Sequence, residues 1–376
     1  MAGIYIHIPF CKTRCAYCDF YSTTHEAWKQ QYVDAVCKEL VQRKDYLKGE
    51  TVDTIYMGGG TPSQLSIAQL NALFATIEAH FPLSKHPEIT IEANPDDVSD
   101  SYAEGLKQTP VNRISMGIQT FDDATLQILN RRHTEQIARM ATMRLREKGF
   151  QNISIDLMYG LPGETIEQWE NDLQQAIALN VEHISAYHLT YEEGTPLYRR
   201  LQQGEVSEVN EELSLTFFNM LIDALTKADY QHYEISNFCK PGMHSRHNSS
   251  YWKGIAYLGC GAAAHSFDGT SRQWNVADIK NYIKGIDTNA PCYEIEALDT
   301  PTRYNEYIMT GLRTSHGISF EEVANRFGQS FATLCKKSAT HHLESGKLIT
   351  EGHRIKLSRE GIFVSDAIIC DLMVLT

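Results

Sequence analysis

Nowhere among the 376 residues do about 18 consecutive apolar residues occur, the length a helix needs to cross a bilayer. The opening Met1–Pro9 has no basic region and only a short apolar run, so no secretory leader is expected and the chain reads as cytoplasmic. Basic residues are scarce beside acidic ones. Thirty-four Lys and Arg against 47 Asp and Glu give a formal charge of −13, so the chain lacks the positive field that holds nucleic acid irrespective of sequence, and no nucleic-acid partner is expected. A disulfide framework is also missing. Of nine cysteines three fall within eight positions, while Cys37, Cys239, Cys260, Cys292, Cys335 and Cys370 are scattered, a pattern of one metal site plus reduced thiols. Neither an internal repeat nor a low-complexity tract occurs. An apolar content of 42% with 22% charged residues is what a folded chain with one large domain and a smaller one carries.

Short β-branched runs alternate with longer amphipathic stretches from the N-terminus onward. Strands are predicted at Ile4–Ile8, Asp53–Met57, Glu88–Ala93, Arg113–Ile118, Ile153–Met158 and His183–His188. Helices are predicted at Glu26–Leu47, Ser66–His80, Ser99–Lys107, Ala124–Asn130, Glu135–Lys148 and Ile166–Leu179. Polar and glycine-rich motifs follow every strand instead of collecting at one switch point, which favours a partial (β/α)6 TIM-like barrel over an open doubly wound sheet. The regular alternation fails near residue 205. From there a helix at Glu211–Lys227 and a short run at His232–Ile235 lead into a segment rich in His, Asn, Gly and aromatics. Beyond about residue 300, helical patterns at Pro301–Leu312, Phe320–Arg326 and Phe331–Ser345 precede a hairpin turning at Glu351–Arg354, the outline of a small α+β domain resembling a winged helix. The expected organisation is therefore a barrel over 1–205, an extension over 206–299 and a small C-terminal domain over 300–376.

Directly after the first strand comes Cys11-Lys12-Thr13-Arg14-Cys15-Ala16-Tyr17-Cys18-Asp19-Phe20. Three thiolates on one loop can reach three corners of a cubane [4Fe-4S] cluster and leave its fourth iron without a protein ligand, the open position a reactive metal site needs. Structural zinc is the other reading of such a trio. A closed zinc site takes four ligands, however, and no second CxxC or nearby His pair follows.

With Tyr5-Ile6-His7-Ile8-Pro9-Phe10 leading into Cys11, the loop resembles the radical SAM superfamily, in the branch that contains oxygen-independent coproporphyrinogen III oxidase (HemN) and the HemW-like heme chaperones. The resemblance spans nearly the whole chain. It implies that S-adenosylmethionine (SAM) sits on the open iron, that a reduced cluster can cleave SAM to a 5′-deoxyadenosyl radical, and that a low-potential donor such as flavodoxin or ferredoxin supplies the electron.

The later strand ends carry residues suited to such a ligand. Gly58-Gly59-Gly60-Thr61-Pro62 follows the second strand, where glycines let a backbone approach a ligand and Thr61 adds a hydroxyl. Glu92 and Gln119 close the third and fourth strands, and Asp156 lies in the fifth ahead of Tyr159-Gly160-Leu161-Pro162-Gly163. Barrel sites assemble from such ends. By resemblance, Tyr5, Tyr17, Gly59, Gly60, Thr61, Glu92, Gln119, Arg131, Asp156 and Thr190 are the SAM-contacting positions. Carboxylates suit ribose hydroxyls and Arg131 suits the SAM carboxylate, a role the adjacent Arg132 could also fill.

Three features bear on the branch. The decarboxylating enzyme carries a further cysteine two positions after the third, where this chain has Phe20, and an arm before its first strand, where only Met1–Gly3 stand here. Arg246-His247-Asn248-Ser249-Ser250-Tyr251-Trp252 matches the HNxxYW motif associated with heme binding in HemW-like proteins. An imidazole can ligate heme iron, a Tyr-Trp pair offers a flat apolar face, and Arg246 can meet a propionate. His247, Asn248, Tyr251 and Trp252 are thus the heme candidates, although His, Tyr and Trp together also make an ordinary buried patch. The C-x-x-C-H signature of covalent heme is absent. In Tyr257-Leu258-Gly259-Cys260-Gly261-Ala262-Ala263-Ala264-His265-Ser266, Ala263 stands where the family has glycine, and Cys260 is not expected to ligate the cluster, because a fourth thiolate would displace SAM. The resemblance implies a chaperone that binds cluster, SAM and heme and passes heme to an acceptor protein, membrane-bound acceptors included. The alternatives are a coproporphyrinogen III oxidase in porphyrin biosynthesis and an iron–sulfur electron carrier with a vestigial SAM site.

Overall fold

The computed structural model describes residues 1–374. Its centre is six parallel strands, β1 (Ala2–Ile8), β2 (Val52–Gly59), β3 (Leu83–Ala93), β4 (Arg113–Gln119), β5 (Ile153–Tyr159) and β6 (His183–His188), paired in sequence order. Between them run α1 (Lys29–Gln42), α2 (Ile67–His80), α3 (Asp100–Lys107), α4 (Asp123–Ile128), α5 (Glu135–Glu147) and α6 (Ile166–Ala178). The period of two in the strands explains the layering. In β1, Ile4, Ile6 and Ile8 are fully buried and join one core with Val33, Val36 and Leu40 of α1, and in β4 and β5 Ile114, Met116, Ile153 and Ile155 do the same. The alternate residues are polar and bond to one another inside the barrel. Tyr56 Oη donates to Glu92 at 2.7 Å, Ser115 Oγ to Asp156 at 3.4 Å, and Ser154 Oγ lies 2.7 Å from His183 Nδ1. Helix starts follow the side chains that can cap them. Ser66, Ser99, Asp122, Thr134 and Thr165 each accept a backbone N–H of the helix they open, and Ser66–Gln69 and Thr165–Gln168 complete capping boxes. The largest departure from the expected helices is α1, which lacks such a cap and begins only after a short 3-10 turn at Glu26–Trp28.

After β6 the chain forms α7 (Pro196–Gln202) and α8 (Glu211–Lys227), then β7 (Gln231–Glu234) and β8 (Asn237–Cys239), which pair antiparallel along β6. A short helix, α9 (Arg246–Trp252), follows. The chain next crosses to the other edge, where β9 (Tyr257–Cys260) pairs parallel with β1, followed by β10 (His265–Phe267), β11 (Ser271–Asn275), α10 (Ile279–Thr288) and β12 (Tyr293–Ala297). The result is one 12-stranded sheet ordered β12-β11-β10-β9-β1-β2-β3-β4-β5-β6-β8-β7. Residues 206–299 therefore extend both edges of the barrel sheet and share its core. The added strands β9–β11 are tied to α1 through a buried pair. Glu39 accepts from Arg43, Gly261 N, Asn275 Nδ2 and Tyr282 Oη at 2.6–3.0 Å, while Arg43 donates to Gly259 O, Ser266 Oγ and Gln273 Oε1. Both Glu39 oxygens and both terminal nitrogens of Arg43 find partners, the condition under which a buried ion pair is tolerated.

The C-terminal part has its own core around Tyr304, Leu312, Val323, Cys335, Leu348 and Ile355. It comprises α11 (Thr300–Leu312), β13 (Ile318–Ser319), α12 (Phe320–Phe327), α13 (Gln329–Glu344), the hairpin β14 (Leu348–Glu351) and β15 (Arg354–Leu357), α14 (Arg359–Phe363) and α15 (Ser365–Leu372). Its sheet is antiparallel in the order β13-β15-β14, the small α+β unit expected. It docks beside β7, where Ile235 N–H donates to Arg313 O and Ser315 N–H to Tyr233 O. Among the described residues no helix is long and apolar enough to cross a membrane.

Candidate functional site: the cysteine loop and the barrel mouth

The cysteine loop leaves the C-terminal end of β1 and is closed at its base. Cys11 N–H donates to Thr23 O at 2.9 Å and Thr23 N–H to Pro9 O at 2.7 Å. Its middle is held by Ala16, whose N–H donates to Leu129 O and whose carbonyl accepts from Leu197 N–H, within a small apolar cluster that includes Met158, Leu161 and Leu189. Cys11, Cys15 and Cys18 are free and half-buried. No group of three His, Cys, Asp or Glu among the described residues is placed to grip a single ion. A cubane cluster instead takes one thiolate per iron. Burial pushes the Cys11 thiol up and the Cys18 thiol up to about 11, with the neighbouring cysteines adding to both. Metal loading therefore has to release protons. Two donors face the sulfurs: Thr61 Oγ1 lies 3.3 Å from Cys11 Sγ and Arg131 Nη1 lies 3.3 Å from Cys15 Sγ. Phe20 stands on the outside of the loop, 64% exposed.

The glycine loop after β2 lies against this one. Gly60 N–H donates to Ile8 O, and a Cβ at Gly60 would come within 2.8 Å of Ile8 O and Pro9 C. Gly59 has φ +107, and a side chain there would strike the His7 ring. Glu92 lies beneath, accepting from Tyr56 Oη and from Gly59 N–H at 3.1 Å. Burial raises its pKa to about 7, with Asp156 adding repulsion against the pull of Tyr56. Asp156 is likewise raised by burial, opposed by the Ser185 hydroxyl and Arg113. Gln119 sits at φ +73, where the β4–β5 register shifts. Arg131 donates to Asn94 Oδ1 at 2.9 Å and to Gly117 O, and its Nε has no partner among the described residues. Arg132 turns away to Asp96 and Asp97, so it does not compete for the place of Arg131. Tyr17 belongs to the apolar cluster under the cysteine loop; Tyr5 lies within β1, its hydroxyl 3.1 Å from His7 Nδ1; Thr190 is exposed just past β6.

Residues that sequence reasoning passed over complete the rim. Asn94 joins Arg131 to Thr61, and Asp97 accepts from Ser63, Gln64, Arg132 and Lys12, tying the glycine loop to the cysteine loop. Tyr187 on β6 is 43% exposed although it shares the lumen with Asp156 and Glu92. The signal for the first two was Asn94-Pro95-Asp96-Asp97 directly after β3, a strand-end position like the others. The donor set, the bare glycine backbone and the unpartnered Arg131 Nε fit a cluster with a polar, carboxylate-bearing ligand on it.

The HNxxYW residues are at the opposite end of the barrel. α9 lies across the starts of β1 and β2, and its N-terminus is held by Glu88, whose carboxylate accepts the N–H groups of Arg246 and His247 at 2.9 Å each. His247 is buried. Thr54 Oγ1 lies 2.8 Å from its Nδ1, Tyr251 Oη lies 2.8 Å from its Nε2, and its ring stacks on Tyr56 at 5.1 Å. Burial and then Arg113 lower its pKa to about 3, so the ring is neutral.

A family model described as Radical SAM superfamily matches residues 5–176, and one described as HemN C-terminal domain matches residues 298–364. Fold and mouth thus define a radical SAM protein with a HemN-type C-terminal domain. The chain is 36% identical to the heme chaperone HemW of Lactococcus lactis subsp. lactis (strain IL1403) over 95% of its own length and 93% of the relative's. It is 35% identical to that of Bacillus subtilis (strain 168) over 96% and 98%. It belongs to the HemW family. Among solved structures, coproporphyrinogen III oxidase (HemN) from Escherichia coli superposes with a TM-score of 0.87, covering 99% of this chain and 90% of that one at 23% identity, which speaks to the fold alone.

Proposed function

We propose that the protein is a heme chaperone that carries a [4Fe-4S] cluster on Cys11, Cys15 and Cys18, binds SAM at the barrel mouth, and holds heme for delivery to an acceptor protein. The observation that carries this reading is full-length likeness to relatives named as heme chaperones, together with the three free thiols at the mouth. In this reading Arg131 and Thr61 donate toward the cluster sulfurs, and Glu92, Asp156 and Gln119 receive the ribose and amino acid parts of SAM, with Tyr5, Tyr17, Gly59, Gly60 and Thr190 completing the contacts. The reduced cluster with SAM supplies one-electron chemistry when it is bound. A low-potential flavodoxin or ferredoxin is the fitting donor, and the cytoplasm the fitting compartment. Anaerobic reconstitution followed by separate SAM and heme titrations tests the proposal. Saturable heme binding without turnover of coproporphyrinogen III is expected; conversion of coproporphyrinogen III without heme binding would replace the chaperone by an oxidase.

A further inference from the structure

Between α9 and the C-terminal domain, at the N-terminal ends of β1 and β2, lies a cleft of about 1440 Å³, larger than the roughly 300–1,000 Å³ that small ligands occupy. Its charge runs against that of the chain. Arg246, Arg272, Arg303, Arg326, Arg354 and Lys253 line it against three carboxylates, those of Asp53, Glu306 and Glu322, in a molecule of net charge −13. The three acids are already matched, Asp53 by Arg246, Glu306 by Arg272 and Glu322 by Arg354. Arg303 and Arg326 have no carboxylate partner among the described residues; Arg326 instead lies over the rings of Tyr307 and Phe327. Flat apolar surface comes from Trp252, Tyr257, Phe267 and Phe327, and the buried Nε1 of Trp252 has no partner. Arg303 donates to Thr300 Oγ1 at 3.3 Å. Aromatic walls with two guanidinium groups that lack a carboxylate partner suit a planar ligand bearing two carboxylates.

The lining includes two histidines, His244 from the segment before α9 and His316 from the loop before β13. Neither ring makes a hydrogen bond among the described residues, and His244 meets the Tyr233 ring edge-on at 4.7 Å. Ser315 N–H donates to Tyr233 O, which brings the His316 loop to the strand that supports His244. His247, by contrast, has both ring nitrogens engaged and lies behind the wall.

Resting on the heme-chaperone reading above, we infer that heme occupies this cleft, that its axial nitrogen comes from the pair His244 and His316, and that Arg303 and Arg326 receive its propionates. His247 is a positioning residue that fixes Tyr251 and the α9 wall through Thr54. The cysteine loop leaves the other end of the same strands. Seven residues of β1 at about 3.3 Å each put roughly 20 Å of packed lumen between the two ends, so heme here is cargo, out of reach of chemistry at the mouth.

Heme and iron-free protoporphyrin IX are titrated into the full-length protein, its His244→Ala/His316→Ala double variant, a His247→Ala variant and an Arg303→Glu/Arg326→Glu variant. Circular dichroism and melting curves establish that each is folded. The histidine pair variant is expected to lose the axial-ligand signature in the Soret and visible bands while binding protoporphyrin IX within about threefold of wild type. His247→Ala should weaken both ligands alike and keep that signature, and the arginine variant should weaken both at least tenfold. A wild-type heme spectrum in the folded histidine pair variant, or loss of the axial signature in His247→Ala alone, overturns the ligand assignment. Unchanged affinity in the arginine variant overturns the cleft. Failure of the wild type to bind heme at all refutes the chaperone reading itself.

Discussion

Glu92 carries a consequence for pH. Its pKa of about 7 in the folded chain lies above the ordinary 4.5, because burial outweighs the hydrogen bonds from Tyr56 and Gly59. A carboxyl raised on folding contributes stability that is whole below about pH 4.5 and is lost as pH rises through about 7. Glu92→Gln removes that titration. Urea denaturation of the cluster-free protein at pH 5, 6, 7 and 8 should show the wild type losing up to about 2–3 kcal/mol relative to the variant across that range. Parallel curves would place the titration elsewhere. Ala263 offers a second measurement. It has φ +61, a left-handed conformation that costs a residue with a Cβ about 1 kcal/mol. Ala263→Gly should therefore raise the midpoint of denaturation by an amount worth about 0.5–1 kcal/mol, and a lower midpoint would show that the methyl group packs well enough to repay the strain. Cysteine spacing and the polar strand ends made the mouth legible at this scale. The roles of Asn94 and Asp97 were not, because a short polar run after a strand also describes an ordinary turn.

Elements were legible where periodicity ran long. The six barrel strands and α8, α11 and the β14–β15 hairpin fall where the pattern of apolar residues put them, within a few residues at the ends. Strands β8 to β12 escaped notice for a physical reason: each has only three to five residues, and their pairing is decided by distant partners such as β1 and by the Glu39–Arg43 network. The helix α9 escaped too, since seven residues cannot hold a helix without tertiary support. That support is Glu88, whose buried carboxylate receives two N–H groups at the helix start, and the Ser245 cap. Charge-assisted bonds to a helix N-terminus are worth about 1.5–3 kcal/mol. Glu88→Ala should cost that much in global stability and weaken heme binding several-fold, while leaving iron and sulfide content after reconstitution unchanged. Unaltered heme affinity in a folded Glu88→Ala protein would detach α9 from ligand binding.

At the scale of the whole molecule, the barrel presents two different ends. The C-terminal end gathers thiols, glycines and carboxylates on loops, whereas the N-terminal end is covered by α9 and the C-terminal domain, which between them leave the arginine-lined cleft. Between the ends stand Tyr5, Tyr56 and His247, the Tyr56 ring centroid 6.2 Å from that of Tyr5 and 5.1 Å from that of His247, and the buried Arg113. Sequence reasoning put cluster and SAM at the barrel mouth and heme on the segment after the sixth strand, but not at the opposite end of the barrel, since HNxxYW lies far along the chain and its crossing to the strand starts is a matter of topology. The separation predicts independence. A Cys11→Ala/Cys15→Ala/Cys18→Ala protein should contain no cluster and lose SAM binding, yet bind heme within about threefold of wild type, a difference of about 0.7 kcal/mol or less. Cys37→Ala and Cys335→Ala, which alter thiols outside the loop, should keep normal iron and sulfide. If the cluster-free protein, folded by circular dichroism, failed to bind heme, the two ends would have to communicate through the lumen or share a single site at the mouth.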